Sequence, residues 1–174
     1  MSESKTQRHI ITLLVDNESG VLSRIAGLFS ARGFNITSLN VAETLEKGTS
    51  RITLVTTGDA FIVEQIIKRF NNMVNVIKVT NLTGTDSVER EMVLVRVSAS
   101  GDARPELLRI ADIFRAKVVD VGTKSYSLEM TGDNQKIGAF LELLIPFGIK
   151  EIARTGVVAM LRGAKTSGGK GGNK

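Results

Sequence analysis

The chain has no cysteine and no tryptophan, and its 174 residues include one histidine, one tyrosine and seven phenylalanines. Without cysteine there can be no disulfide and no thiolate metal centre. The single imidazole, His9, stands next to a polar N-terminal stretch and reads as a strand-end residue. No residue pattern resembles a nucleophile paired with a base or a cluster of metal ligands, so neither a catalytic residue nor a metal site is expected. Scarce aromatics leave the core to Val, Ile and Leu. No apolar run approaches the roughly 20 residues that cross a bilayer, and Met1–Gln7 carries no apolar segment of a secretion signal. These absences lead to the expectation of a cytoplasmic protein that does not contact membrane.

What is present is a net charge of +5, unevenly placed. Residues 8–83 hold eight Lys/Arg against six Asp/Glu, and residues 88–156 hold ten against ten. From Val157 onward come Arg162, Lys165, Lys170 and Lys174 with no acid. The excess therefore sits mainly in a Gly/Lys-rich tail, expected to be flexible beyond about residue 163, and not on a folded face.

Four helices follow from spacing. Leu22, Ile25, Ala26 and Phe29 form one apolar stripe, and Val63, Ile66, Ile67 and Phe70 a second. Leu107, Ile110, Ala111 and Phe114 form a third, and Ile137, Phe140, Leu141 and Leu144 a fourth. Each suits a helix lying on a sheet. Strands are predicted at 8–15, 34–42, 50–57 and 74–82, then at 92–99, 117–122, 125–130 and 149–155. Each half thus reads strand, helix, strand, strand, helix, strand. The halves also match in detail: Phe29-Ser30-Ala31-Arg32 is answered by Phe114-Arg115-Ala116-Lys117, and Thr57-Gly58-Asp59 by Thr131-Gly132-Asp133. Asp59 and Asp133 are natural N-caps.

The expected fold class is therefore α+β. It consists of two tandem ferredoxin-like βαββαβ domains, each a four-stranded antiparallel sheet with two helices on one face and the other face uncovered. The expected boundaries are 1–83, a linker at 84–87, a second domain at 88–156 and the tail at 157–174. Unpaired edge strands invite dimerisation.

The stretch richest in chemistry is Asp16-Asn17-Glu18-Ser19-Gly20-Val21-Leu22, between the first strand and the first helix. Free N–H groups of Gly20, Val21 and Leu22 at a helix start suit an anion such as a carboxylate. Gly20 permits close approach, and Asn17 offers a donor and acceptors. Asn35 and Ile36 open the next strand and could read an ammonium and an aliphatic side chain. The same run also serves ordinary capping and turn chemistry. In the second copy Asn17, Gly20 and Asn35 become Asp102, Pro105 and Asp120. Proline removes a donor and the two carboxylates repel a carboxylate, so only the first copy is expected to sense a ligand.

The residues Asp16–Arg24, Arg32-Gly33-Phe34-Asn35-Ile36 and Leu39 resemble the ACT domain that opens the small regulatory subunits of acetolactate (acetohydroxyacid) synthase. The likeness continues through Val88-Glu89-Arg90-Glu91, Ile113-Phe114-Arg115, Val119-Asp120-Val121 and Ala153–Val158, and covers about residues 8–163. It implies a chain that is not an enzyme by itself and that pairs as a homodimer through its ACT domains. It further implies activation of a separate catalytic (large) subunit and valine feedback in branched-chain amino acid biosynthesis. The partner would form 2-acetolactate and CO2 from two pyruvates and would carry thiamine diphosphate, Mg and FAD, with no cofactor on this chain. Asn17, Gly20, Val21, Leu22, Asn35 and Ile36 match the family's valine-binding positions. The resemblance also implies that the C-terminal domain contributes to contact with the catalytic subunit; Glu89 and Glu91 share a strand face there, which a solvated strand start explains equally well.

RNA-recognition modules use the same βαββαβ order, but they stack bases on aromatic residues of the central strands. Here those strands offer Thr, Ser, Leu and Val, so nucleic acid is not an expected partner.

Overall fold

The computed structural model describes residues 7–31 and 33–163. Arg32 and the Gly/Lys-rich segment after Gly163 lie outside the described residues. The first half runs β1 (Gln7–Asp16), α1 (Val21–Ser30), β2 (Ile36–Glu43), β3 (Thr49–Gly58), α2 (Ala60–Asn71) and β4 (Val76–Asn81). The second runs β5 (Ser87–Ser98), α3 (Ala103–Phe114), β6 (Lys117–Val121), β7 (Ser125–Gly132), α4 (Asn134–Leu144), β8 (Ile149–Arg154) and β9 (Val158–Leu161). The strand orders are β2-β3-β1-β4 and β6-β7-β5-β8, all antiparallel, and β9 also pairs with β5. Both units are the ferredoxin-like arrangement that the sequence pattern predicts.

Side-chain alternation builds each core. Ile11, Leu13 and Val15 of β1 and Ile52 and Leu54 of β3 face the helices, where they meet Val21, Ile25, Phe29, Val63, Ile66 and Phe70. The second core repeats the scheme with Val93, Val95, Val97, Leu128 and Met130 against Leu107, Ile110, Ile137, Phe140 and Leu144. One tilted phenylalanine pair sits in each: Phe29 and Phe70 with centroids 5.8 Å apart, and Phe114 and Phe140 at 5.4 Å. The two predicted caps form as expected. Asp59 Oδ1 accepts from Phe61 N at 2.7 Å, and Asp133 Oδ1 accepts from Lys136 N at 2.8 Å.

The structure departs from the sequence reading at the junction of the halves. β5 begins at Ser87, within the expected linker, and residues 158–161, assigned to the tail, form β9. Ser87–Arg90 pairs with Val158–Leu161, so the long β5 carries β8 and then β9 along one side. Glu89 and Ala159, opposite each other on this ribbon, turn toward the first sheet. There Ile10, Val55, Leu82, Val157 and Ala159 make a third, shared core. Arg8 Nη2 meets Glu89 Oε2 at 2.8 Å, and Arg51 Nη2 donates to the Ala159 carbonyl at 3.0 Å. The outer face of the first sheet, expected bare, is therefore partly covered. Its Thr12, Thr53 and Val55 are buried beside Ile10.

Truncation of a fully buried ring removes its transfer free energy and leaves a cavity. Phe70→Ala is expected to cost about 3–5 kcal/mol, and Asp59→Ala about 1 kcal/mol. Urea unfolding followed by far-UV circular dichroism measures both. A Phe70→Ala loss no larger than that of the cap variant would contradict this core assignment.

Candidate functional site

The loop between β1 and α1 is fixed from both sides before any ligand is considered. Asn17 N donates to Gly48 O in the β2–β3 turn at 2.8 Å, and Asp16 N donates to Asn75 O in the α2–β4 turn at 2.9 Å. Asn75 Nδ2 donates to Glu18 Oε2 at 2.8 Å, and Arg24 Nη1 donates to Asn75 Oδ1 at 2.9 Å. Asn17 Nδ2 donates to Glu43 Oε1 at 2.7 Å, at the last residue of β2. Gly20 precedes α1 with φ +85°, a left-handed conformation that disfavours L side chains.

The loop leaves donors free. The N–H groups of Gly20 and Leu22 donate to no backbone carbonyl among the described residues, while Val21 N makes a long 3.4 Å bond to Glu18 O. Nothing lies within 4 Å of where a Gly20 Cβ would stand. Asn17, Gly20 and Leu22 are exposed and Val21 is buried. The result is an accessible helix start whose donors face outward, beside one amide and the Glu43 carboxylate.

Of the six residues singled out from sequence, one chain brings together Asn17, Gly20, Val21 and Leu22. Asn35 and Ile36 lie elsewhere. Ile36 opens β2 opposite Thr56, and Asn35 O accepts from Thr56 Oγ1 at 2.8 Å. Asn17 sits at the Glu43 end of the same strand. At about 3.3 Å per residue the two ends of β2 are roughly 23 Å apart. Glu43 was missed because it is 26 positions from Asn17 in sequence. Only the β2–β3 register, which returns Glu43 opposite Ser50, reveals the contact.

The equivalent end of the second copy is filled by its own side chain. Arg104 donates from Nε to Ala99 O and from Nη2 to Gly122 O, both at 3.1 Å, and also to Thr123 O. Its guanidinium lies 5.4 Å from the Tyr126 ring centroid. The helix there starts earlier than α1, so Pro105 falls inside the first turn of α3. The single histidine is buried, with Nε2 3.3 Å from Gly58 O and Nδ1 3.5 Å from Thr83 Oγ1. Among the described residues no group of three or more His, Asp or Glu could hold a metal ion, and no helix is long and apolar enough to cross a membrane.

Two ferredoxin-like units in tandem, one with an open helix-start loop and one with that end closed, define a tandem βαββαβ protein whose first unit alone offers an open helix start. Comparison with known proteins agrees. Residues 11–78 match the family model for the AHAS small subunit-like ACT domain, and residues 90–163 match that for the small subunit of acetolactate synthase. The acetolactate synthase small subunit of Aquifex aeolicus is 51% identical over 161 residues, 92% of this chain and 84% of the relative. The probable acetolactate synthase small subunit of Archaeoglobus fulgidus is 50% identical over 158 residues, 91% and 99%. The crystal structure of the acetolactate synthase small subunit from Thermotoga maritima superposes with a TM-score of 0.83 at 40% identity, covering 91% of this chain and 99% of that one. The chain belongs to the acetolactate synthase small-subunit family.

The conformation of Gly20 gives a test independent of any ligand. Gly20→Ala meets no neighbour, so its cost is the left-handed backbone alone, about 1–2 kcal/mol. Chemical denaturation of this variant should show that loss. An unchanged midpoint would mean that the loop relaxes out of this conformation.

Proposed function

We propose that this chain activates the catalytic subunit of acetolactate synthase and confers feedback inhibition by valine on the complex. The observation that carries the reading is the Asn17–Leu22 loop: an open helix start with outward N–H donors beside the unpaired edge strand β2. The donors of Gly20 and Leu22 take the valine carboxylate. Asn17 and Glu43 supply polar contacts on the ammonium side. The thiamine diphosphate, Mg and FAD that condense two pyruvates to 2-acetolactate and CO2 belong to the large subunit, and this chain supplies no reacting group.

Asn35 and Ile36 join the site in a homodimer. β2 is an edge of the first sheet, and antiparallel strands pair readily along such an edge. A two-fold axis through β2 sets the Ile36 end of one copy beside the Glu43 end of the other. That brings Asn35 and Ile36 of the second copy to the Asn17–Leu22 loop of the first, with Ile36 against the ligand's side chain. A site split between copies explains why one chain holds only half of it. Valine then inhibits by binding the inhibitory pairing more tightly than the active one. Leucine and isoleucine bind more weakly, since one methylene discriminates by about 1–3 kcal/mol. A cytoplasmic setting accords with a biosynthetic role.

Valine at 100 times its dissociation constant adds about 2.7 kcal/mol to the folded state, so the melting temperature of the isolated chain should rise with valine and less with its relatives. Gly20→Asp places a carboxylate where the ligand's own belongs. This variant is expected to lose the valine-induced rise and the valine inhibition of the reconstituted enzyme, while still activating the catalytic subunit. Valine inhibition retained in Gly20→Asp would refute this placement.

A further inference from the structure

In the proposed homodimer β2 touches the site at both ends, through Ile36 at its start and through the Glu43–Asn17 bond at its finish. Between those ends it is held by the other half of the molecule. Val157 N donates to Ser38 Oγ at 2.9 Å, and Asn40 Nδ2 donates to the Thr155 carbonyl at 3.5 Å. Gly156, at φ +78°, lies so close that a Cβ there would stand 2.7 Å from Ser38 Oγ and 3.5 Å from Leu39 O. Among the described residues, these polar contacts tie the second half to β2, while Glu89 and the Ala159 carbonyl bond to β1 and β3.

The segment Thr155–Val157 is also the break between β8 and β9, and it is anchored to β5. Thr155 N donates to Met92 O at 3.1 Å, and Met92 N donates to Thr155 Oγ1 at 3.1 Å. Beside it the Arg154 guanidinium grips the Glu91 carboxylate with two bonds, of 2.8 and 2.7 Å, and Glu91 is only 5% exposed. The segment is thus tied firmly to the second sheet. The strand it grips carries a bulge: Ile36 pairs with Thr56 and Ser38 with Val55, leaving Thr37 extra, immediately before the gripped serine. A bulge occupies discrete positions, and moving it by one residue exchanges the faces on which side chains stand. Transmission between sites requires an element with two arrangements, and the bulge is where β2 would shift between them.

We propose that Thr155–Gly156–Val157 is the link through which the state of the effector site, carried along β2, reaches the C-terminal sheet, with Ser38 and Asn40 as its contact points on β2. The proposal rests on the effector reading above and adds its route of transmission. Ser38 and Gly156 are positioning residues and touch no ligand.

The chain has no cysteine, so a Ser38→Cys/Gly156→Cys variant can form no other intramolecular disulfide. A Cβ at Gly156 would stand 2.7 Å from the Ser38 Oγ position, so the two side chains face each other at the close range that a bridge needs. In the reconstituted holoenzyme, the oxidised variant is expected to lose most of its response to saturating valine, at least fivefold in the extent of inhibition. Reductant should restore the response, and the oxidised chain alone should keep its valine-induced thermal shift. Inhibition as deep in the oxidised as in the reduced enzyme overturns the link. A second measurement needs no effector: hydrogen exchange in full-length Ser38→Ala. The link predicts faster exchange both in residues 36–43 and in residues 158–161, and acceleration confined to β2 overturns it. A wild-type complex indifferent to valine would count against the effector reading alone. The exchange result, and a difference in activation between oxidised and reduced variant, would then decide the link.

Discussion

The structure depends on one constraint: the central strands β1 and β3 of the first sheet carry apolar residues on both faces. Ile11, Leu13, Ile52 and Leu54 look toward the helices, while Ile10 and Val55 look the other way. An isolated βαββαβ unit can cover only the first set. Covering the second requires the ribbon of β5 and β9, which brings Val157 and Ala159 onto Ile10 and Val55. Burial of this size stabilises by roughly 25 cal/mol per Å² of apolar surface, and it is non-directional. The polar contacts at its rim, Arg8 with Glu89 and Arg51 with Ala159 O, fix where the ribbon sits. Two units that the sequence presents as beads on a string are thereby joined through a shared core.

The repeat itself was legible because its signals are periodic. Stripes at helical spacing and alternating strands recur in both halves, and the caps Asp59 and Asp133 form where the spacing puts them. What was not legible is what depends on register or on a second surface. Val158–Leu161 reads as the start of a basic tail because the βαββαβ count is already complete at β8. The alternation of buried Val157 and Ala159 with exposed Val158 and Met160 becomes meaningful only once β5 is seen to be long enough to pair with it. For Glu91 a solvated strand start and a role in subunit contact stayed equally open in the sequence. In the structure that position is buried and the carboxylate takes a bidentate arginine.

The Glu91–Arg154 pair also shows how charge is used here. A carboxylate buried without a partner is costly, and removing one member of such a pair is far more damaging than the pair's net worth suggests. The hydrogen bond from Arg154 to Glu91 and the attraction between their charges hold the guanidinium above its ordinary titration range, against the opposing effect of burial. A group whose folded-state value is raised contributes fully below its unfolded value and loses that contribution only as pH rises through the folded one. For an arginine that window is strongly alkaline. The arginine side of the clasp therefore keeps its charge through the neutral range, as an anchor on the second sheet should.

The candidate site was legible in part, and the division has a physical cause. Asn17, Gly20, Val21 and Leu22 are neighbours in sequence, so turn chemistry alone assembles them. Asn35 and Ile36 entered the same list by residue type, yet they lie at the far end of β2. A single antiparallel strand cannot bring its two ends together, but two copies of it related by a two-fold axis do so automatically, at both ends at once. The same geometry explains the second copy of the fold. There Arg104 satisfies the carbonyls of Ala99, Gly122 and Thr123 from within, which closes the corresponding end without a partner. One repeat is completed by its own side chain. The other is left open, with an edge strand whose pairing would complete the site and whose middle is already tied to the rest of the chain.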